Sequence, residues 1–80
     1  MPHYKDGTLA TIGDVVHGKG YNVPYEITGV VVAIDPAHEN CNVMVAHASA
    51  RKVGYGNIVE RIIPVLDIEY GETAAFEKVA

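Results

Sequence analysis

Gly29-Val30-Val31-Val32-Ala33-Ile34, then Asp35-Pro36-Ala37-His38-Glu39-Asn40, then Cys41-Asn42-Val43-Met44-Val45-Ala46-His47 is the stretch that decides the fold. Both apolar runs are rich in β-branched side chains, which suit a pleated strand. Asp-Pro and Asn between them mark a turn. The stretch therefore reads as a hairpin, with strands over residues 26–34 and 41–47.

Outward from this hairpin, glycine and proline punctuate the chain closely. Residues 11–17 read as the first strand. Residues 18–25 read as a long loop, because Gly18-Lys19-Gly20 and Val23-Pro24 interrupt a ladder. Residues 48–57 read as a second loop around Gly54-Tyr55-Gly56. Residues 58–63 read as the fourth strand, stopped by Pro64. One helical turn over 64–67 and a short fifth strand over 68–70 follow. Residues 73–79 have two readings: a short helix capped by Thr73, or an edge strand from Ala75. The fold class is all-β: one small five-stranded barrel with a one-turn helix before the last strand. Residues 1–10 form an N-terminal arm, 11–70 the barrel, and 71–80 a C-terminal extension.

Composition agrees. Eighty residues make one domain at most. With 49% apolar and 20% charged residues the chain is not disordered. Its longest strictly apolar run, Val30 to Ile34, is far below the ~20 residues of a spanning helix. The polar opening Met1-Pro2-His3-Tyr4-Lys5-Asp6 does not read as a secretory leader. Cys41 is the single cysteine, so no internal disulfide forms, and the reducing cytoplasm is the expected compartment. Net charge is −4, and Arg51-Lys52 is the one adjacent basic pair. Nucleic-acid binders neutralise phosphates with a basic stripe, which this chain lacks. A nucleic-acid role through Arg51, Lys52 and Arg61 is therefore disfavoured. The small size suits the dense genomes of phages and mobile elements.

Ile12-Gly13-Asp14-Val15-Val16 resembles the opening of SH3-like barrels. Gly29-Val30-Val31 with Ile34, Val43 and Val45 is similar to the glycine-centred hairpin of KOW-type domains in that superfold. Ile62-Ile63-Pro64-Val65 with Ile68-Glu69 resembles the segment that closes such barrels. The skeleton is also similar to the plasmid-borne type II dihydrofolate reductases, tetramers around a central pore. Their active surface places Gln-Ile-Tyr before the fourth-strand proline, where this chain has Arg61-Ile62-Ile63. Their pore lysine falls at Gly18, with Lys19 one place away. The resemblance therefore implies the scaffold and not the reductase activity.

Three apolar runs do not alternate: Val30 to Ile34, Val43 to Ala46, and Ile62, Ile63, Val65, Leu66. A half-exposed strand alternates. One face of each strand fills a small barrel, and the other needs cover. Either the C-terminal segment with Phe76 supplies it, or a second copy does. The second reading gives an oligomer interface at Val30, Val32, Met44 and Ile62. In the first loop, Lys19, Tyr21 and Tyr25 stand among glycines, and tyrosines offer rigid contact area with a polar tip. The bland alternative has them covering the barrel end. His47, Arg51 and Tyr55 extend the candidate partner surface, against a solvated loop tip.

His17, His38, Cys41 and His47 invite a zinc reading, with His38 and Cys41 at ligand spacing. The paired motifs of a zinc site are missing, so no metal and no cofactor are expected. No nucleophile motif surrounds Cys41 or Ser49, and no catalytic residue is assigned. The expectation is a non-enzymatic interaction module that binds a protein or peptide, or itself, and not a membrane. The alternative is a small-molecule site in an oligomer pore or cleft.

Overall fold

A computed structural model describes residues 2–21, 23–38, 42–54 and 61–80. The strands are β1 (Val15–Lys19), β2 (Glu26–Ile34), β3 (Val43–Val53), β4 (Arg61–Gly71) and β5 (Phe76–Lys78), with one 3-10 turn, Thr73–Ala75, before β5. All pair antiparallel in a single sheet of order β4-β3-β2-β1-β5. The expected all-β fold, five strands with a helical turn before the last, is present.

Two backbone bonds extend the β1–β2 ladder upstream. Gly13 N–H donates to the Val31 carbonyl at 2.8 Å, and Val31 N–H donates to that of Asp14 at 2.9 Å. A register shift between Val31 and Ala33 bends β2 where it meets β3. The sheet curls until Tyr21 N–H, just past β1, donates to the Tyr70 carbonyl on β4 at 2.8 Å. Inside lie Val16, Ile27, Val31, Val43 and Val45. Residues 1–10 add Tyr4 and Ala10, and the last ten residues add Phe76. Asn42 fixes the 3-10 turn: its Oδ1 accepts Thr73 N–H at 2.9 Å.

Several element boundaries differ from the sequence reading. The first strand starts at Val15 because residues 11–14 form a turn, with Asp14 N–H donating to the Thr11 carbonyl. Gly18 and Lys19 belong to β1, not to the loop. The third strand runs on to Val53, through residues expected to be loop. Pro64 does not stop the fourth strand; β4 continues to Gly71 and absorbs both the turn expected at 64–67 and the strand expected at 68–70. The helical turn falls at Thr73–Ala75, and the closing strand is Phe76–Lys78. Pro64 is tolerated because β4 is an edge strand of the sheet, where a missing N–H on the outer side breaks no ladder bond.

Close packing fixes Gly29. A Cβ there would meet the Ala46 carbonyl oxygen and lie 2.8 Å from Val45 Cγ1. Gly29→Ala should cost about 2 kcal/mol through forced backbone movement. Urea unfolding should show a lower midpoint with an unchanged slope.

Candidate interaction surface

Beyond the barrel, β3 and β4 continue as a two-stranded arm. β2 reaches β3 only over Val43 to Ala46, whereas β4 pairs with β3 along its full length, from Val43↔Gly71 to Val53↔Arg61. The molecule is accordingly elongated, 53 × 23 × 19 Å.

Directly opposed residues share a face of a sheet. Val30, Ala46 and Ile68 are aligned across three strands. Met44 with Tyr70, Ala48 with Leu66, and Lys52 with Ile62 continue that outward face. Val30, Val32, Ile68 and Tyr70 are exposed, and Ile62 and Leu66 each reach 71%. The expected interface residues Val30, Met44 and Ile62 are thus brought onto one face, with Val32 exposed at the β2 bulge. Leu66, Ile68 and Tyr70 belong to it too, although reading a break at Pro64 hid the last two. The alternation of Ile68 and Tyr70 with Asp67 and Glu69 was their signal, since it is the pattern of one continuous strand with two unlike faces.

The inward face of the arm is polar near the barrel. His47 is 5% exposed, with Nε2 at 3.6 Å from Glu69 Oε1 and, among the described residues, without a hydrogen-bond partner. It lies inside because Val43, Val45 and His47 alternate onto the core side of β3. Arg51 stays exposed on the arm, with a guanidinium nitrogen 4.0 Å from Asp67. Tyr55 and Cys41 lie outside the described residues.

At the other end, Lys19, Tyr21 and Tyr25 surround the β1–β2 connection. Val23 is buried and packs beside Gly20, and Tyr21 is tied to Tyr70 through its backbone. This anchoring leaves the rings outward: Tyr21 is 62% and Tyr25 55% exposed. They do not cover the barrel end.

His17 and His38 bond different partners. His17 bonds Thr28 Oγ1 and Glu26 Oε2, both at 2.8 Å, and His38 bonds Asp35 at 2.7 Å. Among the described residues no three metal-ligating side chains converge. A shallow cleft of about 220 Å³ lies between Ala33, Asp35, Asn42, Met44 and Tyr70. That is below the ~300 Å³ at which small-molecule pockets begin. No described helix is long and apolar enough to cross a membrane. Comparison with protein-family models, with curated proteins and with solved structures found no match to this chain.

Proposed function

We propose that this chain is a small SH3-like interaction module that self-associates and presents the Lys19–Tyr21–Tyr25 surface to a protein or peptide partner. The observation that carries this reading is the exposure of large apolar and aromatic side chains on two anchored surfaces: Ile62, Leu66, Ile68 and Tyr70 along β4, and Tyr21 with Tyr25 at the barrel end. A monomer seldom leaves such a patch uncovered. Tyrosines held by an anchored backbone bind with little loss of freedom. The single cysteine suits a reducing cytoplasm.

The test is capture from host extract with wild type and with a Tyr21→Ala/Tyr25→Ala variant. Both side chains are exposed, so stability should change by no more than about 0.5 kcal/mol each. A partner held by the wild type should be lost from the variant. An identical captured set from both proteins would remove the tyrosine surface from the function.

A further inference from the structure

We infer that β4 pairs edge to edge with β4 of a second copy, antiparallel about a two-fold axis at Val65. This rests on the self-association proposed above and names its geometry. The arm is a ribbon of two strands, His47–Val53 against Arg61–Asp67. Such a ribbon is marginal in water until a third strand joins it. An open edge is a template for that strand.

The direction of the β4 backbone groups follows from Tyr70. Tyr70 turns its carbonyl away from β3, to Tyr21. Residues of equal parity in a strand turn the same way. Ile62, Pro64, Leu66 and Ile68 therefore direct their carbonyls, and all but Pro64 their N–H groups, to the open side. Among the described residues no strand pairs with that side. The opposite edge of the arm carries Arg51 and Lys52, and charge of this kind blocks self-pairing. β4 carries its charges, Arg61, Asp67 and Glu69, on the inward face, and its outward side chains along the open edge are Ile62, Pro64, Leu66 and Ile68.

Three features select the register. An axis at Asp67 would set two carboxylates face to face. An axis at Leu66 would require the Tyr70 carbonyl, which already accepts from Tyr21. An axis at Val65 sets Ile62 against Ile68, Pro64 against Leu66 and Val65 against itself, and ends on Arg61 opposite Glu69. Ile62 and Ile68 then exchange both bonds, and Leu66 N–H donates to the Pro64 carbonyl, about six bonds in all. Every apolar side chain on the outer face meets an apolar partner, and the terminal pair has opposite charge. The two outward faces become one continuous sheet surface.

The experiment uses cysteine cross-linking in a Cys41→Ser background, with sedimentation of the wild type at micromolar concentration. Val65 and its symmetry mate form a non-hydrogen-bonded pair about 4.5 Å apart at Cα, within disulfide reach. Val65→Cys should oxidise almost completely to a covalent dimer. Leu66→Cys, opposite Pro64, should not. Arg61→Glu should raise the dimer dissociation constant about tenfold by placing like charges opposite each other. An associated wild type without the Val65→Cys bond overturns the edge pairing and leaves self-association standing. A monomeric wild type overturns both.

Discussion

Phe76→Ala should cost about 4 kcal/mol, the range of a buried aromatic cut to alanine. A domain of this size has on the order of 5 kcal/mol in total, so the variant should keep little of its stability and unfold at low urea. Phe76 is 1% exposed and belongs to a strand of only three residues. Its ring holds the two ends of the sheet together. A Cβ on Gly18 of β1 would lie 2.8 Å from ring carbon Cδ1, and one on Gly71 of β4 would lie 2.7 Å from Cε2. The two glycines therefore leave the space that the ring fills. Its backbone also fixes the N-terminal segment, since Lys5 N–H donates to the Phe76 carbonyl at 2.9 Å. Phe76→Leu keeps much of the volume and should cost less than half as much. Urea midpoints and near-ultraviolet circular dichroism measure both. A loss below about 1 kcal/mol for the alanine variant would mean that β5 does not close the core.

Asp14→Ala should be the next most damaging change, at about 3 kcal/mol. Asp14 is a buried carboxylate with three cationic or N–H/O–H partners. Oδ2 accepts the Tyr4 hydroxyl at 2.7 Å and Thr11 N–H at 2.9 Å, and Oδ1 lies 3.7 Å from Lys78 Nζ. The carboxylate thus joins the N-terminal segment, the start of β1 and β5. Removing it leaves a buried hydroxyl without its acceptor, which costs more than the bond was worth. Asp14→Asn should recover part of the loss. The Tyr4 hydrogen bond, with help from Thr11 and Lys78, holds the Asp14 carboxyl below its ordinary pKa. A carboxylate depressed in the folded state stabilises above its unfolded pKa, and that stability is lost as pH falls through the folded value. Burial first, and then Asp14, pushes the Tyr4 hydroxyl up to about 12. Its contribution is whole below the unfolded value of about 10 and is lost as pH rises toward 12. Thermal unfolding should therefore be flat between about pH 4 and pH 10 with respect to this pair, and fall on both sides. An acid limb with the same slope in Asp14→Ala would assign the acid loss to other carboxylates.

The Val30 hairpin and the turn at Asp35-Pro36 were legible because a β-branched run and an Asp-Pro turn declare themselves within a few residues. Gly13 and Asp14, read as part of the first strand, instead form a turn in which Gly13 takes a left-handed φ of +97°. The exposed tyrosines were legible as candidates, since aromatic rings in a glycine-rich loop have few other readings. Pro64 was misleading. Proline ends a strand only when its N–H is needed by a neighbour, and that depends on whether the strand is an edge. His47 was misleading for a similar reason. A histidine in an apolar run faces in or out by strand parity, and which parity faces the core is set by how the neighbouring strands pack, which no local pattern shows.

The sequence by itself determined that this chain is all-β with an apolar core, because composition and β-branched periodicity act over a few residues. Only the tertiary structure decided that residues 61–71 are one strand, that Phe76 closes the sheet, and that the surplus of apolar side chains gathers on the outward face of a two-stranded arm. These depend on which strands become neighbours. That choice is made by long-range pairing, where a backbone group's partner lies tens of residues away.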